Sequence, residues 1–176
     1  MMKSAIMLFA AILLLGAAVV GGRASQASGE ESAKILAFKT MVGVPDPYTG
    51  ATNAIRGVPG GGLPWVVDSA KGKLRADGRI DVSVMGLVLD PNDPDVPAAI
   101  AGTNPVPTFK AIVSCMSKDA AGTTATTVNV STGEFPADTA GNSMISDTVD
   151  LPRPCIAPIV FVSPGTSNAW FASTGF

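Results

Sequence analysis

Four cations, Lys71, Lys73, Arg75 and Arg79, flank an Asp77-Gly78 turn, and their type and spacing suit the holding of anions rather than the making of bonds. Side chains alternate along an extended strand, so Lys71, Lys73 and Arg75 share one face, and a hairpin return adds Arg79 to it. Such a strip offers an anionic surface polymer or lipid headgroups a patch of positive potential. The plainer reading is a solvated hairpin face with Lys73 neutralised by Asp81. A second candidate is Trp65, at the end of the loop Gly57-Val58-Pro59-Gly60-Gly61-Gly62-Leu63-Pro64. Stacking on a sugar or peptide is its candidate binding role, and core anchoring, the usual service of a large aromatic, is the favoured reading. The loop lacks the Lys and Ser/Thr of a phosphate cradle.

Catalytic chemistry is harder to assemble. With no His among 176 residues, the commonest general base and metal ligand is missing, and two Cys cannot build a thiolate zinc site. G-x-S-x-G, S-x-x-K and C-x-x-C are all absent. Asp138-Thr139-Ala140-Gly141 resembles an aspartic-protease loop only superficially, since its Gly is displaced by one and no second copy exists. Paired carboxylates remain open, because such partners meet only in space. A small hydrolase using two of them is therefore the alternative to a non-enzyme.

Asp90, Asn92, Asp93 and Asp95 offer hard oxygens of the kind calcium takes. Pro91 and Pro94 stiffen that loop, which has no turn Gly and no terminal Glu, so a solvated Asx-Pro turn is expected. Neither a metal nor a cofactor is expected.

The elements that must position these residues are strands. From residue 34 onward the apolar positions alternate, as in half-buried strands. Leu36, Phe38, Thr40 and Val42 share a face, with a short helix from Ser28 as the competitor for the segment before them. Residues 43 to 64 are rich in Gly and Pro and can only be loop. Trp65-Val66-Val67 opens a strand. A two-residue turn at Asp77-Gly78 would set Leu74 opposite Asp81, mixing apolar and charged side chains. A three-residue loop, Ala76-Asp77-Gly78 with Gly78 left-handed, sets Leu74 opposite Ile80 and Lys73 opposite Asp81. That register is expected, with Ala70, Gly72, Leu74, Ile80, Val82 and Val84 inward. A bulge at Gly86 accounts for the shifted phase of Leu87 and Leu89. Phe109 to Cys115 is the next strand, Thr123 to Ser131 a polar edge, and Ile145, Val149 and Leu151 suggest a further strand whose apolar pattern Asp147 interrupts. Ile159 to Val162 has the unbroken apolarity of a strand covered on both faces.

The expected fold is all-β, an antiparallel immunoglobulin-like sandwich of roughly seven to ten short strands with one disulfide. Both Trp65 and Trp170 lie outside the cysteine pair, which departs from true immunoglobulin domains.

Residues 1-27 form a separate object. Lys3 precedes an uncharged run from Ala5 to Gly22, and Ala24-Ser25-Gln26-Ala27 supplies small residues at a cut, the order of a secretory signal peptide. Residues 28-176 then make a single all-β domain. Without Lys3 and Arg23 the 12 cations fall to 10 against 14 acids, a net charge of −4. Such a chain has no global basic field, so nucleic acid is not an expected partner. No stable membrane insertion is expected after cleavage. In an extracellular or periplasmic compartment Cys115 and Cys155 should form a disulfide.

Four segments, Arg56 to Trp65, Gly72 to Arg79, Asn104 to Phe109 and Leu151 to Val162, together resemble a family of small secreted bacterial proteins. The likeness spans nearly all of the mature chain. It implies export and one β-rich domain, and no catalytic residues. The function expected is a secreted, non-catalytic binding or envelope-associated module for an anionic polysaccharide, envelope polymer or other glycan. A self-assembling surface component is a further alternative.

Overall fold

The long alternating runs become strands, and Gly/Pro clusters set where each one ends. In the computed structural model, residues 32 to 174 are described. The signal-peptide reading and the competing helix from Ser28 therefore fall mainly on residues outside that range. Twelve strands are present among the described residues, five of them only two residues long. They are β1 (Lys34–Phe38), β2 (Val42–Gly43), β3 (Trp65–Val66), β4 (Ser69–Arg75), β5 (Arg79–Met85) and β6 (Val88–Leu89). The second half holds β7 (Thr108–Lys118), β8 (Ala125–Ser131), β9 (Phe135–Pro136), β10 (Ser143–Thr148), β11 (Ile156–Pro164) and β12 (Ala172–Ser173). No described residue is helical, and the strand pairs are antiparallel. The all-β class holds.

One sheet has the order β1-β4-β5-β10 and another the order β2-β12-β11-β7-β8, with β9 beside β7 and a two-stranded β3-β6 unit. Leu74, Ile80, Val82, Val84 and Ile145 from the first sheet share one buried cluster with Phe109, Ala111, Val113, Val160 and Val162 from the second. At one end Trp65 stacks on Phe171 with centroids 3.8 Å apart, and Phe109 meets Phe171 edge-on.

The second sheet is covered on its far face as well, by the Gly/Pro-rich segment after β2. Gly61 N–H donates to Trp170 O and Trp170 N–H to Pro59 O, both at 2.8 Å, while the Arg56 guanidinium donates to Ser114 O. Ile112, Ser114 and Phe161 are consequently buried although they point away from the first sheet. The unbroken apolar run of β11 follows from this double cover.

The hairpin register is as expected, with Leu74 opposite Ile80 and Lys73 opposite Asp81, and Gly78 holds φ 89°. Two local readings need correction. The first strand stops at Phe38, because the chain crosses between sheets at Lys39-Thr40. Met41 becomes buried and Val42 exposed, reversing the expected phase. Gly86, at φ 67°, is a break between β5 and the separate β3-β6 unit rather than a bulge within one strand. Cys115 and Cys155 are bonded, with Cα atoms 4.9 Å apart.

Candidate functional site: the outer face of the four-stranded sheet

Period-two alternation sends Ala70, Leu74, Ile80, Val82 and Ile145 into the core, leaving the other parity of β4, β5 and β10 on an open face. A shallow trough of about 450 Å³ runs across that face. Lys34, Lys39, Lys71 and Lys73 line it together with Asp81, Ser83, Met144 and Ser146. Asp81 is the only acid in the lining. An adjoining hollow of about 390 Å³ shares Asp81 and Ser146 and adds Arg75, Arg79, Asp147 and Thr148. Six cations therefore border one continuous track.

Asp81 is the hub of the track. It takes hydrogen bonds from Ser146 Oγ at 2.8 Å and from Arg75 Nη1 at 3.2 Å, and Lys73 Nζ stands 3.7 Å away. The Ser146 hydroxyl first, then Arg75 and Lys73, hold its carboxyl below the usual 3.8 despite partial burial. Arg79 is engaged separately, its Nε donating to Asp77 Oδ2 at 2.7 Å. Lys34, Lys39 and Lys71 have no ion pair among the described residues. At these mostly exposed positions each pair is worth little for stability, so the face is available to an outside anion.

Lys71, Lys73, Arg75 and Arg79 do share this face, as the alternation requires. Arg75, expected on the exposed strip, is instead buried and paired to Asp81. The chain entering β1 passes beside the end of β4, where Ala33 O accepts the Ala76 N–H and Ser32 Oγ the Asp77 N–H, and Lys34 stands opposite Arg75 in the register. Trp65 lies elsewhere. At 4% exposure and stacked on Phe171 it is a core anchor, with no face left for a sugar. Lys34 and Lys39 were not foreseen as site residues. The polar parity of β1 held the signal for Lys39, but only the pairing of β1 with β4 shows that it joins the strip.

Two acidic features remain. Asp46, Asp93 and Asp95 bring carboxylate oxygens within 4.8 Å of one another, joining the foreseen acidic loop to a residue from a distant segment. Within that loop Asp90 Oδ1 accepts the Asn92 N–H and Asp93 Oδ1 the Asp95 N–H, which is the expected Asx-turn arrangement. Asp138, in the superficially protease-like segment, accepts the Asn142 backbone and side-chain N–H groups and serves as a loop clamp. Every resolved carboxyl shift is downward, the wrong direction for a general acid.

No protein-family model, curated protein or solved structure matches the chain.

Proposed function

We propose that the protein is an exported, non-catalytic binding module that holds an anionic polymer along the outer face of the β1-β4-β5-β10 sheet. One observation carries this reading. The pairing of β1 with β4 brings Lys34 and Lys39 beside Lys71 and Lys73, so that four lysines border a trough containing a single acid. In a chain whose acids outnumber its cations 14 to 12, that is a local reversal of sign. The trough is open and shallow, which suits a linear polymer crossing the strands better than a small enclosed ligand. Met144, 71% exposed, gives the lining an apolar contact for the polymer backbone.

The Cys115–Cys155 bond fits an extracellular or periplasmic site, and no helix of the described residues is long and apolar enough to cross a membrane. The leader-like order of residues 1-27 and the resemblance to small secreted bacterial proteins support export. The sandwich of antiparallel sheets supports an immunoglobulin-like relation in architecture.

Purified protein should bind an acidic polysaccharide such as polygalacturonate at low ionic strength. Affinity should fall steeply with added salt, because exposed charges are screened over about 10 Å at 0.1 M. The double change Lys39→Ser and Lys71→Ser should weaken binding about tenfold or more while shifting stability by less than about 0.5 kcal/mol. Equal binding by the double variant, or no binding at low salt, would remove the reading.

A further inference from the structure

The four ends of the two main sheets are β1, β10, β2 and β8. An unpaired strand edge is a template for another strand, and proteins usually blunt it. At β1 the register with β4 is irregular between Lys34 and Leu36, and lysines flank the strand. At β10 Ser143 bridges to Ala137, and the Asp147 carboxylate takes the Gly133 N–H at 2.8 Å. The β2 edge is two residues long and covered, since a Cβ on Gly43 would strike the Trp65 carbonyl.

The β8 edge has none of these devices. Its seven residues pair with β7 without a register shift and include no charge and no Pro. The uncharged stretch runs from Ala120 to Gly133. Which backbone groups are free follows from the ladder. Thr132 N–H donates to Ala111 O and Asp119 N–H to Thr124 O, and in an antiparallel pair the hydrogen-bonded residues alternate. Thr126, Val128 and Val130 therefore turn their N–H and C=O groups toward β7. Ala125, Thr127, Asn129 and Ser131 turn theirs outward, and no described group bonds them there.

We propose that this edge pairs antiparallel with β8 of a second copy of the chain, joining two six-stranded sheets into one. The occupant is chosen by self-complementarity. With the twofold axis at Val128, Thr127 faces Asn129 and Ala125 faces Ser131, so all four outward residues meet partners whose groups are also free. On the inner parity Val128 meets Val128 and Thr126 meets Val130, β-branched pairs that pack well across strands. No like charges oppose each other along the strand, although the chain as a whole is acidic. Because the other three ends of the two main sheets are blunted, and a twofold contact uses the same β8 edge on both copies, pairing closes at two copies. This goes beyond polymer binding and does not depend on it, for the basic track lies on the other sheet.

Thr127→Pro removes one outward N–H and leaves every backbone hydrogen bond to β7 in place, losing only the weak donation of Thr127 Oγ1 to Met116 Sδ, and Pro is tolerated on edge strands. Sedimentation of the full chain over a wide concentration range should give the dimer mass for the parent and the monomer mass for Thr127→Pro. Thr127→Lys, which sets a charge on the strand, should behave alike and replaces the proline variant if that one misfolds. In the parent, amide exchange at Ala125, Thr127, Asn129 and Ser131 should slow about tenfold or more as concentration rises. A parent that stays monomeric, or a dimer that persists in both variants, would overturn the proposal.

Discussion

Gly78 has two independent reasons to be glycine. Its φ of 89° is costly for any residue with a Cβ, and a methyl group there would run into the Val149 carbonyl oxygen. Val149 N–H in turn donates to Gly78 O at 3.0 Å, so the hairpin turn is pressed against the end of β10. Gly78→Ala should therefore destabilise by about 2 kcal/mol or more, the sum of backbone strain and overpacking. Urea unfolding measures it, and a neutral result would mean that the turn relaxes freely. Asn104 carries a different load. At 3% exposure, its Nδ2 donates to Val106 O and Asp138 O, and its Oδ1 accepts the Val106 N–H. Asn104→Ala strips all three bonds from buried surroundings and should cost about 2–3 kcal/mol. Asn104→Asp keeps the acceptor but loses both donations, so it should also unfold earlier in urea than the parent.

The polar clamps between elements titrate, and that gives the fold an acid limit. The Asn142 backbone and side-chain N–H groups hold the Asp138 carboxyl below its ordinary 3.8, and the Gly133 and Thr148 N–H groups do the same for Asp147. A carboxyl with a folded pKa below its unfolded value adds stability above that value and loses it as pH falls through the folded one. The urea midpoint should thus hold near pH 5 and drop as pH is lowered past about 3.8. Asp138→Asn should flatten part of that drop, and a midpoint independent of pH would contradict the clamp. What could be read in advance follows the same division between local and distant. The β4-β5 register was legible because a Gly turn and period-two alternation are local signals, so Lys71 and Lys73 could be placed on one face. The pairing of β1 with β4 is not a local signal, which hid both Lys39 as a partner of the strip and the placing of Lys34 opposite Arg75. The Gly/Pro segment after β2 was legible as loop, but nothing in its composition indicated that it would cover the far face of β7 and β11. For Trp65 the usual packing role of a large aromatic pointed to the core, but a loop end also suits stacking on a ligand, and only the placing of Phe171 from a distant segment names its partner.

At the scale of the whole molecule one covalent bond ties the connection between the two sheets to the centre of the second. Cys115 is fully buried on β7, and Cys155 closes the segment that leaves β10 in one sheet to begin β11 in the other. The 40-residue separation contains β8, β9 and β10, so the bond constrains the basic sheet's last strand and the free edge together. Closing a loop of that length removes enough freedom from the unfolded chain to be worth about 4 kcal/mol on the chain-entropy account. That is a large part of the roughly 5–15 kcal/mol by which domains are stable. The native packing around Cys115 does not depend on the bond in the same way, because Phe109, Ala111 and Val113 bury the same face of β7 without it. The double change Cys115→Ala and Cys155→Ala should therefore leave the chain folded at low temperature but lower its unfolding free energy by about 3–4 kcal/mol. Urea unfolding of the parent in reductant should lose a similar amount. A loss under about 1 kcal/mol in both would mean that the sheets hold without the bond, and would weaken the case that the fold depends on an oxidising compartment.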